Sequence, residues 1–262
     1  MFRFLFVFAA LLLCVQAKSY HFGINYGGYS SARLKTAIET APFLAYLGEK
    51  TALDFELRTY KNDAELFYAL KSGAADIVYM DAIAYISARR QMTNIEPIAI
   101  TLSADLSPNL MCAIARIERE DISFYHDQKR AAYATRDSLC RAKTAIENME
   151  AIEKINASDA IFSLLIGEAD AIWTTTETIA RYAHLHLIAA PQKEQFPNGV
   201  LVRNTSTMTE RDRQKILEAI MGVERDEIDR SIWAYKFRFG FKEINDMYFN
   251  TFREKLRNAG LF

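Results

Sequence analysis

One short unit is written twice in this chain. Tyr68-Ala-Leu-Lys-Ser-Gly73-Ala-Ala-Asp76-Ile-Val-Tyr79 and Phe162-Ser-Leu-Leu-Ile-Gly167-Glu-Ala-Asp170-Ala-Ile-Trp173 align at a constant offset. Leu70/Leu164, Gly73/Gly167, Ala75/Ala169 and Asp76/Asp170 are identical, and Tyr79/Trp173 keep an aromatic where each copy ends. Each copy reads as the end of a helix, a glycine stop and a short strand, with the aspartate anchoring the turn. Helix–glycine–strand junctions are common in α/β proteins, but four identities in register favour duplication over chance. Two αβ lobes of similar build are therefore expected. Two lobes imply a cleft, where a ligand would sit.

At 262 residues, half of them hydrophobic, the chain is long enough for one large or two small cores. Its 32 Lys+Arg are balanced by 33 Asp+Glu, and no basic run is present, so the electrostatic footprint for nucleic acid is missing. At the N-terminus, Arg3 precedes an apolar stretch from Phe4 to Val15, and Val15-Gln16-Ala17 suits signal peptidase. The stretch falls short of the roughly 20 residues a membrane span requires. Residues 1–17 thus read as a cleaved signal peptide and the mature protein as exported. Leu13 before Cys14 argues against a lipid anchor there. In an oxidising compartment Cys112 and Cys140 fit either a disulfide or two separate buried thiols.

From Tyr20 onward, strand and helix patterns alternate in the way that generates mostly parallel sheets. The spacing predicts strands at 21–25, 54–58, 76–79 and 97–101. Helices are predicted from Ser30 or Ser31 to about Leu47, kinked or split at Pro42, from Asn62 or Asp63 to Gly73, and over 82–90. An apolar run from Leu110 to Ala115 reads as a strand crossing to the second lobe. That lobe is expected to contain strands at 130–134, 152–155, 169–173 and 186–189, with helices over 138–150, 158–166 and 176–183. Pro191 and Pro197 punctuate the return, and Gly199–Arg203 is a second crossing strand. Thr209-Glu-Arg-Asp212 resembles a capping box opening a helix to Met221, and helices at about 224–234 and 244–258 follow. The second lobe is thus an insertion: 18–108 form the first part of lobe 1, 109–199 lobe 2, and 200–262 the return to lobe 1.

In open α/β sheets ligands bind beyond the carboxyl ends of strands. Helix N-termini there present unpaired N–H groups and a partial positive charge, which favour an anion. Three such loops occur in each lobe. The first lobe offers Tyr26 and Ser30, then Tyr60, then Tyr79 and Asp81. The second offers Thr135 and Ser138, then Asp159, then Trp173, Thr174 and Thr175. The three threonines 174–176 suit a ligand's oxygens or an ordinary helix cap.

Several segments, in order and at compatible spacing, resemble one known family. They are Ala41-Pro42-Phe-Leu-Ala-Tyr46-Leu47-Gly48, Tyr60-Lys-Asn62-Asp63, Gly73-Ala-Ala-Asp76-Ile-Val-Tyr79 with Ala82-Ile-Ala-Tyr85, Gly167-Glu-Ala-Asp170-Ala-Ile-Trp-Thr-Thr175-Thr-Glu177, and the ending Gly240-Phe241, Tyr248, Arg253, Gly260-Leu261. The family is the phosphonate-binding group of periplasmic solute-binding proteins that serve ABC importers. The resemblance implies an α/β fold of the type II periplasmic binding protein kind. Each lobe would be a mixed, mostly parallel sheet flanked by helices, with two crossing segments between lobes. It also implies capture of a small oxyanion by closure of a monomer, without cofactor, metal or catalytic residues, and delivery to a membrane permease. In the family the aromatic at the place of Tyr79 and hydroxyls at the place of Ser138 hold phosphonyl oxygens, and a carboxylate at the place of Asp159 pairs with a ligand ammonium. Asp159 is equally well placed as a helix N-terminal charge. The family's Ser-Thr-Ser-Gly-like run is replaced here by Asp137-Ser138-Leu139-Cys140-Arg141.

Other classes fit less of the chain. A periplasmic sensor that presents its ligand to a membrane histidine kinase would share fold and cleft. An enzyme on this fold would need chemistry that is not visible, since the chain has no nucleophile elbow, phosphate-binding glycine loop or metal-ligand cluster. His184-Leu-His186 would place two imidazoles on one face of a strand, with no carboxylate or cysteine nearby in sequence, which favours a structural role. Trp233, Tyr235, Phe237, Phe239 and Phe241 fall on alternate positions, as in a short extended segment covering the core.

Overall fold

The computed structural model describes residues 18–27, 30–117, 130–134, 140, 149–154, 156–223, 228–258 and 260, with the side chains of Ser30 and Ser31 excepted. The leader, Thr135, Ser138, most of the helix expected from Ser138 and the start of the one expected at Glu224 lie outside these residues.

The doubled unit folds twice in the same way. In the first copy, the helix Asp63–Ser72 (α2) is capped by Asn62, whose side chain accepts from the Glu65 N–H at 2.9 Å. In the second, the helix Ala157–Leu165 (α4) is capped by Asn156, which accepts from the Asp159 N–H at 2.9 Å. Gly73 and Gly167 then take left-handed φ values of 74° and 75°, a region closed to most side chains. Asp76 accepts from the His21 N–H at 2.8 Å and returns its own N–H to the His21 carbonyl at 3.0 Å. Asp170 does the same with Arg130, at 3.0 and 2.9 Å. Each aspartate therefore ties the strand that follows it to the start of its lobe's leading parallel strand, which is a longer-range task than anchoring a turn. The duplication also extends upstream to Asn62/Asn156, farther than the glycine-centred match.

Eleven strands among the described residues form two sheets. The first contains β1 (Ser19–Asn25), β2 (Asp54–Tyr60), β3 (Ile77–Met80), β4 (Ile95–Thr101), β10 (Val200–Asn204) and β11 (Phe241–Glu243), in the order β11-β4-β10-β3-β1-β2. The second contains β5 (Asn109–Ile117), β6 (Arg130–Ala134), β7 (Glu150–Lys154), β8 (Ala171–Thr175) and β9 (Leu187–Pro197), in the order β7-β6-β8-β5-β9. Both sheets are mixed. Their parallel parts are β2-β1-β3 and β7-β6-β8, and every pair involving β5, β9, β10 or β11 is antiparallel. The parallel share is smaller than the alternation of elements suggests, because strands that cross between lobes re-enter a sheet running backwards.

Three local expectations are corrected. Helix α1 (Ser30–Thr51) runs through Pro42 and past Gly48, and ends where Ala52 takes φ 55°. The bond lost at Pro42 is to Ile38, whose side chain is 63% exposed, so water can reach that part of the helix. Strand β9 runs through Pro191 with a register shift opposite Met111/Ala113, which is tolerated because β9 is the sheet's edge. His184 lies in a short 3-10 turn and His186 has φ 49°, so the two histidines are not on a strand. The remaining helices are α3 (Ala82–Gln91), α5 (Thr176–Arg181), α6 (Glu210–Gly222) and α7 (Asn250–Asn258).

The aromatic run after α6 forms two 3-10 turns, Arg230–Ile232 and Tyr235–Phe237, in place of an extended segment. Trp233, Phe237 and Phe241 turn inward, where Phe43 stacks on Phe237 at 4.4 Å and on Phe241 at 5.5 Å, and meets Trp233 edge-on at 5.3 Å. On the opposite face of the first sheet, an apolar cluster containing Leu66, Leu70, Val78 and Tyr85 continues through Leu110, Cys112 and Phe196 to Tyr133 and Trp173 in the second lobe. Cys112 and Cys140 are joined in a disulfide with Cα atoms 5.3 Å apart.

Two carboxylates tie distant elements together. Asp212, at the start of α6, accepts from the Tyr20 hydroxyl at 2.6 Å. Asp246 accepts from the Tyr85 hydroxyl at 2.5 Å and pairs with Arg253. Burial alone would raise both carboxyls, but the hydrogen bonds of Tyr20 and Thr209 to Asp212, and of Arg253 and Tyr85 to Asp246, bring both below the ordinary 3.8. A carboxyl with a lowered folded pKa contributes stability that is complete above its unfolded value and lost as pH falls through the folded one. Urea midpoints are therefore expected to hold from neutral pH to about pH 5 and to fall below about pH 4. Asp246→Asn should flatten that acid limb, and an identical limb in the variant would refute the assignment.

Candidate ligand cleft

The turn after β1 lies against the turn that follows β7. One contact fixes this directly: the Asn156 side-chain amide, at the N-terminus of α4, donates to the Gly27 carbonyl after β1 at 3.3 Å. Asn25 in turn bonds Asp63, the first residue of α2. The N-termini of α2 and α4 are thus both tied to the end of β1, and both present backbone N–H groups and the positive ends of their dipoles there.

On the first wall, Tyr26 is half-buried and donates its backbone N–H to the Tyr60 carbonyl at 2.9 Å. Burial raises the Tyr60 phenol above its ordinary 10.0, with Arg58 opposing, so at neutral pH Tyr60 is a hydrogen-bond donor. Asp81 precedes α3 without using its side chain as a cap. Tyr79 is only 8% exposed. Its ring meets Phe237 edge-on at 5.1 Å, and the Lys236 ammonium lies over it at 4.9 Å. Ser30 begins α1 on this side.

Tyr79 also touches the crossing segments. A Cβ built on Gly199 would fall 1.9 Å from the Tyr79 hydroxyl, so Gly199 is the residue that lets the phenol reach the second crossing. Thr101, where the first crossing leaves β4, donates its N–H and hydroxyl to the Gly199 carbonyl at 2.9 and 3.1 Å. The crossings are joined again by the Asn198 N–H to the Pro108 carbonyl at 2.9 Å. From the C-terminal segment, Tyr248 donates to Asn109 at 3.0 Å and Lys255 pairs with Glu194 at 3.4 Å.

On the second wall, Thr175 is fully buried and caps α5, accepting from the Thr178 N–H at 3.1 Å. Its hydroxyl is therefore engaged in the ordinary cap role. Thr174 is buried beside it, and Asp159 is half-buried in the first turn of α4. Trp173 pairs with Tyr133 across β6 and β8, the rings edge-on at 6.3 Å. Its indole is 3% exposed, and Nε1 has no hydrogen-bond partner among the described residues. A buried donor in that condition costs about 1–3 kcal/mol, which an acceptor oxygen would relieve.

Two residues that bring the walls together lie outside the candidate ligand residues named from the sequence, although the loop that begins at Asn156 was among the candidates. Asn156 is one. The other is Arg181 of α5, held by Glu177 at 2.9 Å, whose guanidinium lies 4.8 Å over the ring of Tyr235 in the first lobe. Burial and then the Glu177 carboxylate push the Tyr235 phenol up. The match of Asn62 to Asn156 at the repeat offset was available as a signal, whereas nothing local announces the pairing of Arg181 with Tyr235.

This geometry agrees with known proteins. A family model described as the periplasmic substrate-binding protein of ABC phosphonate transporters matches residues 28–249. The fold is similar to that of a binding protein component of an ABC phosphonate transporter from Pseudomonas aeruginosa, with TM-score 0.72 and 12% identity over 94% of this chain and 87% of that one. It is also similar to PhnD1 from Prochlorococcus marinus in complex with methylphosphonate, with TM-score 0.69 and 14% identity over 94% and 99%. A Xanthomonas citri protein bound to ATP gives TM-score 0.66 and 11% identity over 93% and 96%. No functionally curated protein matches the sequence. The chain belongs to the phosphonate-binding family of periplasmic ABC-transporter substrate-binding proteins.

Proposed function

We propose that this chain captures a small phosphorus oxyanion of the phosphonate, phosphite or phosphate class between its lobes and delivers it to an ABC permease. It would work as a monomer, exported by cleavage after residue 17, with lobe boundaries at 109 and 199. The observation that carries the reading is the Nε1 of Trp173 inside the second wall, which has no partner among the described residues. Elsewhere on the two walls, the N-termini of α2 and α4 and the Lys236 ammonium over Tyr79 would supply positive potential, and Tyr60 and Tyr79 would supply phenols. The bound methylphosphonate of the Prochlorococcus protein is a ligand of the same charge and size class. Tyr26, Ser30, Asp81, Thr135, Ser138, Asp159 and Thr174 complete the candidate lining, with Asp81 and Asp159 suited to an ammonium-bearing ligand.

Calorimetric titration with methylphosphonate, phosphite, phosphate and ATP tests this. Saturable binding of at least one is expected, accompanied by thermal stabilisation that reaches about 2.7 kcal/mol at a hundredfold excess over Kd. Trp173→Phe keeps the ring and removes the donor. It is expected to weaken binding roughly tenfold to a hundredfold, as for a hydrogen bond to a charged group. No heat and no stabilisation with any of the four would overturn the oxyanion reading, and undiminished affinity in the variant would remove Trp173 from the site.

A further inference from the structure

The two cap asparagines occupy equivalent places in the repeat and differ in one respect. Asn62 Oδ1 accepts from the Glu65 N–H, and Asn156 Oδ1 accepts from the Asp159 N–H, both at 2.9 Å. Asn156 also has its Nδ2 aimed at the opposite lobe, 3.3 Å from the Gly27 carbonyl. Gly27 has φ 76°, with open space where a side chain would stand, so this turn follows β1 in a left-handed conformation that glycine adopts without strain.

We infer that Asn156 is a positioning residue that latches the closed state, its side chain serving as helix cap on one side and cross-lobe donor on the other. The inference rests on the cleft reading above and is independent of which ligand the cleft takes. The cap fixes the side chain through Oδ1, which leaves Nδ2 with one direction to point, so the donor is ordered before the lobes meet. The bond to Gly27 then forms only when the lobes are apposed. A contact present in one state and absent from the other biases the equilibrium between them, and so sets how much of a ligand's intrinsic affinity is expressed.

The asymmetry of the repeat supplies the experiment. Asn156→Asp retains a good N-cap and suits the helix dipole, but it replaces the donor with an acceptor facing a carbonyl. Asn62→Asp makes the same change at a residue that has no cross-lobe bond among the described residues. Spin labels carried on p-acetylphenylalanine in place of Tyr68 and Phe162, which are 67% and 60% exposed at equivalent repeat positions, report the distance between lobes in the full chain without added ligand. The ratio of separated to apposed lobes is expected to rise about fivefold in Asn156→Asp, the effect of losing one ordinary hydrogen bond, and to stay at the parent value in Asn62→Asp. A distance distribution unchanged by Asn156→Asp, or shifted equally by Asn62→Asp, would overturn the latch. Because no ligand is present, neither result depends on the oxyanion assignment.

Discussion

Replacing Cys112 and Cys140 together by alanine is expected to lower the stability of the second lobe by about 3–4 kcal/mol and its melting temperature by on the order of 10 °C. The bridge spans a separation of 28 residues, and both half-cystines are buried. Closing a loop of that length removes much of the freedom of the unfolded chain, which is the main source of such stabilisation. Cys112 sits on β5 in register with Thr175 of β8, whereas Cys140 lies two residues beyond Ser138 in the chain. Ligand affinity should therefore fall along with stability. Of the chain's two tryptophans, Trp173 belongs to the second lobe and Trp233 to the first. Following Trp173 emission in a Trp233→Phe background isolates the affected lobe. A urea midpoint that does not move would show that packing alone holds this region.

Trp233→Ala is expected to cost about 3–5 kcal/mol, the range for truncating a large buried aromatic, with the loss falling on the first lobe. Trp233 is 1% exposed and packs 5.3 Å from both Phe43 and Tyr46. Both neighbours lie on α1, and Phe43 is itself stacked against Phe237 and Phe241, so collapse around the cavity would require α1 and the segment after Trp233 to shift. Trp173 emission should then report a second lobe that unfolds near its original urea midpoint. A cost below about 1 kcal/mol would mean that the cluster repacks freely.

What the sequence disclosed, and what it withheld, divides along the range of the interaction. Helix caps, glycine stops and strand starts in the doubled unit were legible because each depends on residues within a few positions. The pairing of Asp76 with His21 and of Asp170 with Arg130 was not, because it joins segments brought together only by strand order. Pro191 reads as a break until β9 is known to be an edge. Thr175 reads equally as ligand donor or cap, and the neighbouring Thr178 N–H shows it acting as the cap. The five alternating aromatics fit an extended strand, yet a 3-10 path sends Trp233, Phe237 and Phe241 inward at every fourth residue. Of the candidate lining, Tyr60, Tyr79 and Trp173 were named from their place at strand ends. Asn156 and Arg181 act across the cleft, a relation that neither helix encodes by itself.

The paired crossings have a mechanical consequence. Two chain segments run side by side between the lobes, linked through Thr101 to Gly199 and through Asn198 to Pro108. A single tether would allow the halves to swivel as well as fold. A bonded pair resists torsion and leaves bending across its width as the compliant direction. If the lobes close on a ligand as proposed, each stroke would retrace one arc, and the faces that meet on closing would be the same faces every time.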